Sequence, residues 1–339
     1  MNIARRKPLT ARVGIFGVGL DTYWEQFPGL LDDLLAKKEI LKRKLSAHSV
    51  ELFDFGMVDN AERAAAALPQ IEAADLDLLF VDMLTYATSA TFGMIVRRMQ
   101  IPVVLVALQP LPAMDYEHAS TYMQLCNDDF CSVPEFTGVA VRMGKKAPAV
   151  VLGQLEGDAV ADAELAEWCR VAHVLHDLRR ARLGHMGHVL EAMLDMQTDP
   201  AAVTAAFGAH VVQCEADQLL PIYREVDPAG AEVTEMKRRI LSFFDTPDPV
   251  SDPLTEKLTE ADLETAAVVA VTLERYIALK HLDGLAYYYE AEPGSLLRRI
   301  VTNFIVGNSL LTAAGFPMCG EFDIKTCIAM LIFDRLEIG

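Results

Sequence analysis

The chain has 339 residues, 52% hydrophobic and 23% charged, with a formal net charge of -18 and a pI near 4.8. That composition supports large cores and about two domains, while the acidic balance, with no basic stripe, excludes nucleic acid and an anionic membrane as partners. No apolar run reaches the ~20 residues of a bilayer span, and the basic start MNIARRKPLTARVGIFGVG precedes only a strand's length of apolar sequence, so no signal peptide is read and a cytoplasmic location is expected.

The first half alternates strand and helix. RVGIFGVGL (12–20), SVELFDFGMV (49–58), LDLLFVDML (76–84) and IPVVLVALQP (101–110) are predicted strands, nearly continuous in apolar residues as expected when both faces are covered. FPGLLDDLLAKKEILKRKL (27–45), NAERAAAALPQIEAA (60–74) and ATFGMIVRRM (90–99) carry the helical period between them. Single helices between strands imply parallel pairing with right-handed crossovers. The expectation is a doubly wound, flavodoxin-like domain over 1–145.

A second α/β unit is expected over 146–339. APAVVLGQL (147–155) is its first strand and ADAELAEWCRVAHVLHDLRRA (161–181) a helix. RLGHMGHV (182–189) reads as a short strand and turn, AAVTAAFG (201–208) as a helix, AHVVQCEA (209–216) as a strand and VTEMKRRILSFF (233–244) as a helix. The polar, Pro-rich DTPDPVSDPLTEKLTEAD precedes a long helix over 262–282, followed by the strand GLAYYYE (284–290), a helix over 295–315 and a last helix over 321–336. The fold class is therefore α/β, with two tandem doubly wound parallel sheets. The six cysteines are scattered and match no zinc spacing, so reduced thiols are expected.

Four places carry chemistry. GVGLDTYW (17–24) leaves the first strand through two glycines, but the third glycine of a dinucleotide fingerprint is missing. Its Asp21, Tyr23 and Trp24, with Gln26, sit where open parallel sheets bind ligands, at the carboxyl end of a strand; Trp24 either packs on the sheet edge or lines a pocket. HVLH (173–176) and HMGH (185–188) place histidines three apart, yet a zinc site needs a third ligand, so surface or capping roles compete with metal binding. Tyr287, Tyr288 and Tyr289 alternate along a strand that ends at Glu290. GEFDIKT (320–326) sets Glu321 and Asp323 at a helix start, where the helix dipole alone favours acids.

GEFDIKT resembles the G-E-x-D-x-K-T segment of L-arabinose isomerases, within the L-fucose and L-arabinose isomerase superfamily. MGHVLEAMLDMQTDPAAVTAAFGAHVVQCEADQL (186–220) is similar to the family's middle segment, and CNDDFCSVPEFTGVAVRM (126–143) to the segment bridging its first two domains. The resemblance implies aldose–ketose interconversion through an enediol stabilised by Mn²⁺. It makes Glu321 a metal ligand and proton-transfer group, with Asp323 and Lys325 supporting it. Tyr23, Trp24 and Tyr289 would line the sugar pocket. Asp128 and Cys131 stand where the arabinose enzymes carry a glutamine and a histidine that reach a neighbouring subunit's substrate, which sets the expected sugar apart from L-arabinose. The family's second catalytic glutamate and its two metal-binding histidines fall beyond the helix closing at Leu336, so the expected Mn²⁺ site is incomplete in this chain. The family also implies a homo-oligomer, a hexamer with shared sites. A cytoplasmic sugar-binding protein and a non-catalytic assembly subunit are the competing readings.

Overall fold

A computed structural model describes residues 4–245 and 258–338, so most of the Pro-rich segment before the long helix lies outside the described residues. The chain forms two compact units: Leu9–His176, and the described residues of Met1–Pro8 with Asp177–Gly339.

The first unit runs β1 (Arg12–Val18), α1 (Thr22–Gln26), α2 (Leu30–Ser46), β2 (Glu51–Val58), α3 (Ala61–Ala73), β3 (Leu78–Asp82), α4 (Ser89–Val96), β4 (Val103–Gln109), α5 (Thr121–Cys126), α6 (Val133–Arg142), β5 (Ala149–Gln154) and most of α7 (Ala159–Arg180). Its five parallel strands take the order β2-β1-β3-β4-β5, the flavodoxin-type winding with its switch point between β1 and β3. Alternate strand residues feed two cores. Phe16, Leu79, Val81 and Leu105 face one side with Phe92 and Phe136, and Ile15, Phe80, Val104 and Val151 face the other with Leu41 and Leu165. Gly17 lies opposite Asp82 in the β1–β3 register, so the apolar sheet ends on a carboxylate.

The expected boundary at 145/146 does not coincide with these units. The strand expected over 147–155 is β5, which pairs with β4 rather than opening the second sheet, and the division falls inside α7. A strand's apolar pattern shows that it is buried, not which sheet buries it; Val151 packs with Val104 and Val106.

The second unit runs β6 (Arg182–Gly187), α8 (Pro200–Phe207), β7 (His210–Cys214), α9 (Leu219–Glu225), α10 (Ala231–Phe243), α11 (Glu260–Lys280), β8 (Gly284–Tyr288), α12 (Leu296–Thr302), α13 (Phe304–Ala313), β9 (Met318–Cys319) and α14 (Ile324–Arg335). The order β7-β6-β8-β9, again parallel, repeats the winding of the first unit. The helix expected over 295–315 is two helices. Asn303 separates them in the bridge region of backbone space, its amide donating to the Arg299 carbonyl at 2.7 Å. The helix expected from 321 starts at Ile324, because the Asp323 carboxylate caps the N–H groups of Lys325 and Thr326. Its Ile328 and Leu331 are buried, whereas Phe333 stays 53% exposed. At the other end of the chain, Arg6 N–H donates to the Ala314 carbonyl and Lys7 pairs with Asp283. Among the described residues no helix is long and apolar enough to cross a membrane.

Candidate functional site

The carboxyl ends of β1 and β3 diverge at the switch point of the first sheet and open a cleft of about 380 Å³. After β1 the chain turns into α1, a five-residue helix that presents Tyr23. After β3 it presents Tyr86, and α5 with the following turn presents Thr121, Gln124 and Asp128. The rings of Tyr23, Phe27 and Tyr86 face the amides of Gln26 and Gln124, the Thr121 hydroxyl and the Asp128 carboxylate. Burial raises the Tyr23 phenol, and neighbouring Tyr86, Asp128 and Cys131 raise it further. Burial also raises Asp128, against a hydrogen bond from the Cys131 thiol and the field of Lys37. A second hollow of about 670 Å³, with Gln109, Tyr116 and Ser120 in its wall, shares Thr121 and Gln124 with the cleft. A hollow of about 740 Å³ beside Pro102, Lys146 and Trp168 lies at the amino ends of the strands, away from the switch point.

Buried charge holds the cleft's walls. Lys37 and Lys38 of α2 are 8% and 2% exposed. The Lys37 ammonium donates to the Leu84 carbonyl at 3.0 Å, the Cys126 carbonyl at 2.9 Å and Asp129 Oδ1 at 2.8 Å. An ammonium has three N–H donors, so Lys37 commits all of them to the segments that flank Tyr86 and Asp128. Lys38 pairs with Asp54 and donates to the Gly56 carbonyl at 3.1 Å. Burial pushes the Asp82 carboxyl up to about 7 despite the fields of Lys37 and Lys38, with Asp54 adding to the rise. Burial likewise raises Asp129 against the attraction of its partner Lys37.

Three buried oxygens at this edge have no hydrogen-bond partner: Asp59 Oδ1, Asp82 Oδ2 and Thr85 Oγ1. An unpaired buried polar group costs about 1–3 kcal/mol, so such groups call for an explanation. Sequence reading passed over all three, and also Lys37. A single Asp or Thr at a strand end carries no periodic signal, and the two lysines fall within a run that reads as a solvated helix face.

The carboxyl edge of the second sheet carries GEFDIKT. Glu321 and Phe322 both adopt left-handed backbone, with φ of 55° and 61°, a conformation that L-residues avoid. Tertiary bonds hold it there. Phe322 N–H donates to the Tyr287 carbonyl at 3.1 Å, His185 Nε2 lies 3.0 Å from the Phe322 carbonyl, and the two rings stack with centroids 3.3 Å apart. Glu321 is left exposed beside Tyr288 and Cys319. Burial pushes the Cys319 thiol up to about 11, with Asp323 and Glu321 adding to the shift. Burial would raise Asp323, but the Thr326 hydroxyl and the backbone N–H groups of Thr326 and Lys325 outweigh it and hold the carboxyl low. Lys325 donates to the Asp195 carbonyl.

Of the expected site residues, Tyr23, Asp128 and Cys131 therefore meet in one place, whereas Trp24 is not in the cleft's wall but packs beside Leu30 and Leu84 and donates its indole N–H to Asp59. Glu321, Asp323 and Lys325 share the second edge, and Tyr289 packs against the second unit's core. The histidine pairs have structural partners. His173 contacts the Ser49 carbonyl, His176 lies 2.7 Å from Asp77 Oδ2, and His185 is buried on Phe322. Among the described residues no group of three or more His, Cys, Asp or Glu side chains is arranged to hold a metal ion. The donors around Glu321 thus do not fit the Mn²⁺ that the resemblance implies. No family model matches the chain, and no curated protein matches it. Among solved structures, a conserved domain protein of Vibrio cholerae O1 biovar El Tor is similar at 11% identity over 97% of this chain and 82% of that one, with a TM-score of 0.24. So loose a superposition bears on neither fold nor function.

Proposed function

We propose that the chain binds a small sugar in the cleft of the first unit and acts as an aldose–ketose isomerase. The observation that carries this reading is the meeting of Tyr23 with Asp128, from segments distant in sequence, on a cleft at the switch point, with Cys131 beside them. Aromatic rings take the apolar CH faces of a sugar, and the surrounding amides, hydroxyl and carboxylate take its hydroxyls. On the resemblance of GEFDIKT, Glu321 is proposed as a proton-transfer group; in an aldose–ketose interconversion such a carboxylate removes a proton from the carbon beside the carbonyl and returns it to the neighbouring carbon, while a second proton passes between the two oxygens.

Calorimetric titration of the whole chain with L-arabinose, D-xylose, L-fucose and D-galactose, with ketose assayed afterwards, tests the reading. Binding of one of these is expected, weakened about tenfold by Tyr23→Ala, which is ~1.4 kcal/mol. Binding to none of them overturns it. Binding without ketose formation, with or without added Mn²⁺, selects the second reading, a sugar-binding protein without turnover. Among the described residues no group of metal-binding donors adjoins Glu321, which favours that second reading. Self-association is also proposed, through the face that exposes Phe333. A monomer in sedimentation at micromolar concentration would exclude it.

A further inference from the structure

We propose that the carboxyl ends of β1, β2 and β3 form an inner subsite beneath Trp24, in which Asp59 and Thr85 take two adjacent hydroxyl groups of the ligand that enters the cleft. This rests on the sugar-binding reading and deepens it.

Asp59 follows β2 and is 2% exposed. Its Oδ2 accepts the Trp24 indole N–H at 2.7 Å and an Arg63 N–H at 2.7 Å, while Oδ1 is buried without a partner. Thr85 follows β3, is fully buried, and its hydroxyl has no partner. The Trp24 ring that Asp59 holds and the Thr85 side chain meet at Gly19, just after β1. A Cβ there would stand 2.9 Å from the Trp24 ring and 3.5 Å from the Thr85 methyl. The missing side chain thus gives the indole its seat. Trp24 and Thr85 are the sequence neighbours of Tyr23 and Tyr86, which wall the cleft.

The two free oxygens define the ligand. A carboxylate oxygen only accepts, whereas a threonine hydroxyl donates and accepts. A vicinal diol satisfies both, with one hydroxyl donating to Asp59 and the other exchanging with Thr85. A purely apolar ligand would leave both oxygens unpaired, and a phosphate would meet the Asp59 carboxylate. Access requires the indole to shift. Helix α1 has no fully buried residue and no side-chain cap, and its Trp24 is only partly buried at the edge of the cluster of Leu30, Leu34, Met57 and Leu84, so a shift of the indole uncovers that edge alone.

The test separates binding from packing. Thr85→Val removes the unpartnered hydroxyl and keeps the shape. If that hydroxyl serves neither fold nor ligand, the variant melts at the same or a higher temperature and binds sugar as before. If it serves the ligand, the melting temperature holds or rises while affinity for the best sugar of the panel falls about tenfold, ~1.4 kcal/mol; Thr85→Ser, which keeps the hydroxyl, retains affinity. A folded Thr85→Val that binds within twofold of wild type overturns the subsite and leaves the sugar reading standing. The chain has two tryptophans, so in Trp168→Phe the emission reports Trp24 alone. A shift on saturation with sugar is expected, and an unchanged spectrum overturns the proposal even if Thr85→Val fails to fold. A wild-type chain that binds none of the sugars overturns the function reading and the subsite together.

Discussion

The two sheets wind alike, yet their carboxyl ends are built on opposite principles. The first holds its walls with charge taken out of water. Lys37 ties three chain segments together, Lys38 ties β2 to α2, and Asp82 is buried within the field of both. The second presents its acid to solvent on a turn of strained backbone, held by one ring stack and two hydrogen bonds. A shared winding locates where a site can lie; the side chains at the strand ends decide what it can do. Buried ions resist change because removing one partner strands the other, whereas an exposed acid on a turn is exchanged at small cost.

The largest test of that contrast is Lys37→Met. Leaving Asp129 buried and unpaired should cost about 3–5 kcal/mol, read from the midpoint and slope of urea unfolding. Adding Asp129→Leu should restore much of the loss. A loss under ~1 kcal/mol would show that the ion pair is not what holds the first edge.

Asp82→Asn comes next and depends on pH. The folded carboxyl titrates near 7, above its ordinary 3.8, so between those values the folded state holds a proton that the unfolded state has released. Its stabilising contribution is complete below about pH 4 and is lost as pH rises through 7. The wild type should therefore lose stability across that window relative to Asp82→Asn, by at most about 4 kcal/mol at pH 8. Parallel stability–pH curves for the two proteins would contradict the assignment.

At the second edge, His185→Ala removes the stack on Phe322 and the bond to its carbonyl. It should cost about 2 kcal/mol and raise hydrogen exchange at the Phe322 amide. Protection unchanged at that amide would mean that the turn holds itself. The smallest effect is expected for Glu321→Gly. Relief of left-handed strain, ~1–2 kcal/mol, outweighs the backbone entropy of glycine, ~0.5–1 kcal/mol, so thermal stability should rise slightly even as the proposed proton-transfer group is lost. A fall of more than ~1 kcal/mol would show that the carboxylate has a structural partner.

Much of this protein could be read from its residues. Continuous apolar runs such as LDLLFVDML marked strands covered on both faces, and the spacing between runs called for parallel sheets; both follow from burial, which is written in sequence one element at a time. Tyr23 entered as a candidate from its place at a strand's carboxyl end, Asp128 and Cys131 through a resemblance, and the fold brings them together. What the pattern could not show is membership. The strand at 147–155 reads the same whether it closes the first sheet or opens the second, and only its pairing with β4 decides. Nor could it show that Lys37 and Lys38, in a run that looks solvated, are buried. A lysine enters a core only where carbonyls and carboxylates from other segments converge to replace water, and that convergence belongs to tertiary structure. The same holds for Asp59, Asp82 and Thr85: ordinary residues by composition, and informative because the fold closes over them and leaves an oxygen of each unpaired.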